Sequence, residues 1–186
     1  MPLLNLTRTP LDGLVLVERQ RAQDERGFLS RIFCAHELAD AGFDRAVAQI
    51  NHTLTRRRGA VRGLHFQTWP HAEDKMVNCL RGSVFDVAVD LRRGSATFLA
   101  WHGEILSAEN CRGLLIPRGF AHGFQALEDD CELLYLHSSP YTADAEGALN
   151  ARDPRLAIDW PLVFTDISAR DAKHPFITHE FSGVRT

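Results

Sequence analysis

Val84-Phe85-Asp86-Val87-Ala88-Val89-Asp90 alternates along its length: Phe85, Val87 and Val89 fall on one face of an extended chain, Asp86 and Asp90 on the other. A period of two excludes a helix, whose apolar residues recur every three or four positions, so the stretch reads as a β-strand. Leu14-Val15-Leu16-Val17, Ala46-Val47-Ala48-Gln49-Ile50, Met76-Val77, Leu114-Leu115-Ile116 and Leu133-Leu134-Tyr135-Leu136 read as further strands, each ended by turn-formers or charge. Short apolar segments between frequent Gly, Pro, Asn and Asp positions, with no repeat or linker, predict a barrel or sandwich. Only His36-Glu37-Leu38-Ala39-Asp40-Ala41, stopped by Gly42, and residues 168–172 of the tail read as helical. The predicted fold is all-β, a β-barrel with a few short helices, mostly C-terminal.

The chain of 186 residues, 45% hydrophobic and 24% charged, has the composition of an ordinary globular protein and the length of one domain spanning 1–186. Twenty-one Lys and Arg against 24 Asp and Glu give a net charge of −3. That balance offers no global attraction to nucleic acid or an anionic membrane, so an anion site must be a local cluster. The start, Met1-Pro2-Leu3-Leu4-Asn5-Leu6-Thr7-Arg8, lacks a charged leader followed by a sustained apolar stretch, and no segment approaches membrane-spanning length. The expectation is a cytoplasmic protein with no nucleic-acid or membrane partner. Cys34, Cys79, Cys111 and Cys131 lie far apart with no Cys-x-x-Cys pair and read as core thiols.

Chemistry concentrates in Arg58-Gly59-Ala60-Val61-Arg62-Gly63-Leu64-His65-Phe66-Gln67. Strand periodicity puts Arg62, Leu64 and Phe66 on one face, His65 and Gln67 on the other. If the latter face lines a barrel, His65 sits in a partly dry cavity suited to proton transfer; the alternative is a hydrogen-bonded core histidine. Ile116-Pro117-Arg118-Gly119-Phe120-Ala121-His122-Gly123-Phe124 is a tight turn running into a histidine at a strand start. This Pro-x-Gly-x-x-His pattern resembles the second motif of the cupin superfamily, whose histidine often binds metal with an earlier His-x-His pair. Here Gln67 replaces the second member of that pair. His65, His122 and a remote carboxylate such as Glu73 leave a third ligand unfixed, which makes metal binding the weaker reading.

In the run Arg56-Arg57-Arg58, Arg56 and Arg57 read as a solvated loop. Arg62 and Lys75 are embedded in apolar strand patterns, where a buried charge needs a partner, and an anionic ligand is one candidate. Arginine's planar donor fork suits a pyrophosphate and lysine suits a developing oxyanion. Tyr135, one of two tyrosines, lies in an apolar strand where its ring could fill core.

Taken in order, these blocks resemble the dTDP-4-dehydrorhamnose 3,5-epimerase family, nucleotide-sugar enzymes of the cupin superfamily, over about residues 13–171. They include Asp24-Glu25-Arg26-Gly27-Phe28, Gln49-Ile50-Asn51-His52, the strand ending Arg62-Gly63-Leu64-His65, Lys75-Met76-Val77, Ile158-Asp159-Trp160-Pro161 and Ser168-Ala169-Arg170-Asp171. The resemblance implies a cupin-type jelly-roll barrel that epimerises a nucleotide-linked 4-keto-6-deoxy sugar at C3, C5 or both, with no cofactor and no metal. It makes His65 the base, Asp171 its partner, Lys75 the stabiliser of the enolate oxygen and Tyr135 the acid on the opposite face. Arg62 and His122 match the sugar and pyrophosphate region; Arg26, Gln49, Asn51, Glu146 and Arg170 match nucleotide-sugar contacts. It further implies a homodimer that exchanges an N-terminal segment. Arg31 stands where the dTDP-sugar enzymes carry a glutamate and Ile50 where they carry an aspartate, while Leu136 and Ser139-Pro140-Tyr141 depart beside the acid. The competing readings are a metal-dependent cupin oxygenase or isomerase and a non-catalytic sugar-nucleotide binding module.

Overall fold

The computed structural model describes residues 3–186; Met1 and Pro2 of the quoted start lie outside the described residues. In chain order the elements are β1 (Leu4–Arg8), β2 (Val15–Arg19), β3 (Arg21–Asp24), β4 (Gly27–Ser30), α1 (Ala35–Ala39), β5 (Gln49–Thr55), β6 (Ala60–Gln67) and β7 (Lys75–Arg81). Next come β8 (Ser83–Asp90), β9 (Trp101–Ser107), β10 (Arg112–Ile116), β11 (Phe120–Ala126), β12 (Cys131–His137), β13 (Glu146–Ala148) and β14 (Asp166–Ile167). One sheet runs β1-β2-β10-β7-β12-β5 and the other β13-β6-β11-β8-β9, with β14 added parallel to β6 and β3-β4 forming a separate hairpin. Long crossovers between strands that are neighbours in space make this a cupin-type jelly roll.

The strand at 84–90 was placed correctly by its alternation, but the use of its faces is the reverse of a simple sandwich. Phe85, Val87 and Val89 look outward and are covered by the C-terminal segment through Leu149, Leu156, Trp160 and Ile177. The other face looks between the sheets, where Val84 and Ala88 join Val77, Leu114, Leu133 and Phe124. Asp86 therefore projects into the interior. The outer face of the first sheet, with Val15, Val17, Met76, Leu115 and Leu136, is covered by Leu38 of α1 and by Phe43. Each large apolar side chain buried in these layers stabilises the fold by about 1.5–3 kcal/mol, and the central strands such as β7 and β11 are buried on both faces whereas β1 and β5 at the edges are largely exposed.

Two boundaries differ from the sequence reading. The strand expected from Ala46 begins at Gln49, because β12 ends at His137, whose carbonyl accepts the Ala48 N–H as the final rung. Residues before that have no partner strand. The tail at 168–172 makes only a single 3-10 turn, Asp171–Lys173, and α1 lies in the N-terminal half. Pro175 stops a helix from continuing, and Asn150 Nδ2–H donates to the Ala172 and His174 carbonyls that a helix would have used internally. Among the described residues no helix is long and apolar enough to cross a membrane.

Candidate active site

Between the sheets a cavity of about 940 Å³ opens to solvent, large enough for a ligand with several rings. One wall is β6, β11 and the Ser168–Asp171 segment; the other is β5, β7 and β12. His65 lies on the first wall, directly opposite His122 across the β6–β11 ladder. Three positions on, Arg62 pairs with Phe124, so β6 carries one more residue than β11 between these two pairings. The bulge turns Arg62 onto the same cavity wall as His65, correcting the sequence reading that set them on opposite faces. Gly63 is needed at this bend: its φ is +119°, and a Cβ would stand 2.5 Å from Gly123 Cα and 2.8 Å from the His122 carbonyl oxygen.

Three imidazole–carboxylate pairs ring the cavity. His65 Nε2 lies 2.9 Å from Asp171 Oδ1, and Asp171 Oδ2 accepts the Gly63 N–H at 3.3 Å. Burial alone would raise the Asp171 carboxyl, but the His65 hydrogen bond and charge outweigh it and hold the group down at about 2. A carboxylate acceptor requires Nε2–H, leaving Nδ1 as the basic nitrogen of a neutral ring. Arg170 Nη2 lies 3.4 Å from the same Nε2, but two donors cannot bond each other; its guanidinium instead pairs with Glu146 at 3.0 Å. The second pair is His122 Nε2 with the fully buried Asp86 Oδ2 at 2.8 Å. The third, His137 Nδ1 with Glu73 Oε2 at 2.8 Å, has no counterpart in the sequence reading. A signal for it existed, since His137 follows Tyr135 by two and Glu73 precedes Lys75 by two, the spacing of one strand face.

Lys75 is buried, as its apolar context demanded, yet its partner is Glu73 Oε1 at 3.1 Å rather than a ligand alone. Arg62 differs from the expectation: it is exposed at the cavity, its Nε–H donating to Thr55 Oγ1 at 3.0 Å and its Nη2 to the Leu54 carbonyl at 3.3 Å. Arg56 and Arg57 also reach the cavity rim instead of forming an unrelated solvated loop. Tyr135 sits on the wall facing His65, its ring edge-on to His122 at 5.9 Å and stacked on His137 at 6.0 Å. Burial first, and the Asp86 charge second, push its phenol upward, so it stays protonated at neutral pH.

Of the remaining sequence candidates, Asn51 and Arg170 line the cavity. Gln49 and Glu146 stand beside it, tied through Tyr141, whose N–H donates to Gln49 Oε1 at 2.9 Å and whose hydroxyl donates to Glu146 Oε2 at 3.1 Å. Arg26 is not brought there: it lies at the β3–β4 turn, paired with Asp24 and otherwise in solvent. Arg31 pairs with Glu37, and Ile50 is exposed on β5. The metal set considered from sequence is not assembled, because His65, His122 and Glu73 are each engaged by a different partner. Donor atoms of His65, Asp171 and His174 do lie within 4.8 Å of one another, two of them already joined by the hydrogen bond above.

The cupin-type fold thus sets a carboxylate-held imidazole facing a phenol and an ammonium across one cavity. Residues 8–179 match the family model for dTDP-4-dehydrorhamnose 3,5-epimerase. The chain is 42% identical over 160 residues to the dTDP-4-dehydrorhamnose 3,5-epimerase of Pseudomonas aeruginosa, covering 86% of this chain and 87% of that one. It is similar to the crystal structure of dTDP-6-deoxy-D-glucose-3,5-epimerase from Legionella pneumophila in complex with dTDP-4-keto-L-rhamnose, with a TM-score of 0.91, 38% identity and coverage of 98% and 99%. A 3'-monoepimerase from Streptomyces bikiniensis in complex with dTDP-quinovose is also similar, with a TM-score of 0.84, 35% identity and coverage of 90% and 85%. The chain belongs to the dTDP-4-dehydrorhamnose 3,5-epimerase family.

Proposed function

We propose that this chain epimerises a nucleotide-linked 4-keto-6-deoxy sugar at C3, C5 or both, with His65 as base and Tyr135 as acid. The observation that carries the reading is their placement on opposite walls of one cavity. Inversion needs this: a base and an acid on one face would restore the starting configuration. His65 takes the proton beside the C4 ketone, the C–H electron pair enters the enolate, and the negative charge settles on the C4 oxygen. Asp171 stabilises the imidazolium that forms. The Lys75 ammonium faces the oxyanion, and the Tyr135 O–H returns a proton to the other face of the sugar.

Arg62, with His122, serves the sugar and pyrophosphate region, where a planar donor fork suits paired phosphate oxygens. Gln49, Asn51, Glu146 and Arg170 serve the nucleotide sugar. Arg26 serves it from a second copy of the chain in a cytoplasmic homodimer built on this cupin-like domain of 1–186. Support for the dimer comes from the β3–β4 hairpin, which exposes Phe28 at 58% and Leu29 at 64% and holds Arg26 away from its own cavity. Sequence reading and site agree on the substrate class, and two of the similar structures hold dTDP-linked sugars.

The test is deuterium wash-in from D₂O at C3 and C5 with dTDP-, CDP-, GDP- and UDP-linked 4-keto-6-deoxy sugars. Exchange is expected with at least one, abolished by His65→Ala. Tyr135→Phe should spare proton removal more than delivery at C5; equal loss of both refutes the tyrosine's role. Absence of exchange with every base by the unaltered protein refutes the function.

A further inference from the structure

Lys75 and His137 are direct cross-strand neighbours on β7 and β12, and a single carboxylate serves both. Glu73 Oε1 lies 3.1 Å from Lys75 Nζ and Oε2 2.8 Å from His137 Nδ1. The other acid beside the lysine, Asp74, is occupied: it takes the Arg118 N–H at 3.1 Å, Arg118 Nε at 3.2 Å and the Ser138 hydroxyl at 3.1 Å. Glu73 is therefore the counter-ion of Lys75. The Glu73 side chain is 8% exposed, and its burial, which alone would raise the carboxyl, is outweighed by the His137 hydrogen bond and the Lys75 charge, which hold it ionised. With Nδ1–H donated to Glu73, His137 keeps a lone pair on Nε2, and Asn51 Nδ2 stands 3.4 Å away to donate to it. Both Lys75 and His137 line the cavity.

We propose that Glu73 and His137 are positioning residues that set the charge Lys75 presents to the reacting ketone. Glu73 sets its carboxylate 3.1 Å from the ammonium in the cavity wall. His137 takes up the second oxygen and draws away part of the carboxylate's charge, so that the lysine is not fully neutralised before an oxyanion forms. This rests on the epimerase reading above. The groups facing Lys75 from other elements do not compete for it. His65 on β6 offers its backbone carbonyl at 3.4 Å while its ring is held by Asp171, and His122 and Asp86 are closed on each other. Tyr135 on β12 remains protonated, and the β10 residue paired with Lys75 is the apolar Ile116.

The experiment is the pH profile of deuterium exchange at C3, measured as kcat and KM for the unaltered protein, Glu73→Gln and His137→Asn. Glu73→Gln preserves shape and an acceptor for His137 but removes the counter-charge, so the alkaline limb of kcat should move to lower pH by roughly one unit. His137→Asn leaves Glu73's whole charge to Lys75, so that limb should move to higher pH while kcat on the plateau falls and KM is little changed. Opposite displacements are what a merely structural role cannot produce. Profiles that superpose on the unaltered protein's, or move in the same direction, overturn the proposal; if Glu73→Gln does not fold, the direction for His137→Asn decides alone. No exchange by the unaltered protein removes the epimerase reading and this one with it, whereas normal exchange with superposed profiles removes only this one.

Discussion

Asp171→Asn exchanges one carboxylate oxygen for an NH₂ group and should disable the base. The carboxylate accepts on both oxygens, His65 Nε2–H at Oδ1 and Gly63 N–H at Oδ2. A carboxamide has only one acceptor. With its oxygen toward His65, its NH₂ meets the Gly63 N–H, donor against donor. Turned over, it donates to Nε2 and forces the proton onto Nδ1, the nitrogen required as base. Losing a buried, charge-assisted hydrogen bond removes about 1.5–3 kcal/mol from the imidazolium, or ~10–150-fold in rate. Adoption of the wrong tautomer extends the loss toward ~10⁴-fold, the scale seen when a carboxylate orienting a catalytic histidine becomes an amide. Exchange at C3 in D₂O should therefore fall by about 10²–10⁴, measured well below the variant's melting temperature. Retention of exchange within about threefold of the unaltered protein refutes the role of Asp171 and the tautomer deduced from it.

Gly63→Ala and Gly42→Ala separate backbone strain from collision. Both have positive φ, but a Cβ at Gly42 meets nothing within 4 Å whereas at Gly63 it strikes the β11 backbone. Gly42→Ala should destabilise by about 1–2 kcal/mol; Gly63→Ala should lose clearly more by denaturant titration and also lose exchange, because the bulge that aims Arg62 and His65 cannot close, and equal destabilisation would sink that account. Acid should weaken the fold through Asp90 as well as Asp171. Despite burial, which raises it, donors from Arg92, Ser95 and Thr97 hold the Asp90 carboxyl at about 2, below the ordinary 3.8. A folded pKa below the unfolded one contributes stability that is complete above about pH 4 and is lost as pH falls toward 2. Calorimetry should show the melting temperature dropping across that window, with a shallower drop in Asp90→Asn; parallel curves would rule the contribution out.

Much of the fold was legible because alternation is a local property: residues 84–90 declare a strand without reference to the rest of the chain. Among the candidate site residues, His65 reads by its pattern alone as either core residue or base, and its order with Lys75, Tyr135 and Asp171 favours the base only through family resemblance. The helical expectation for the tail failed where Asn150, some twenty residues earlier, claims its carbonyls.

What the sequence by itself determined is the central strands, β8 above all, and the residue types able to move protons, while β1, β3, β4, β9, β13 and β14 were not read from it. Which face became the cavity was decided by tertiary structure, since the C-terminal segment covers Phe85, Val87 and Val89 and leaves Asp86 inside with His122. Tertiary structure likewise turned Arg62 to the side of His65, through a bulge that exists only as a mismatch between paired strands. It also joined Glu73 to His137, 64 positions apart, around Lys75. Periodicity describes one strand at a time, whereas a buried charge is satisfied by whichever partner the sheet pairing brings within about 3 Å.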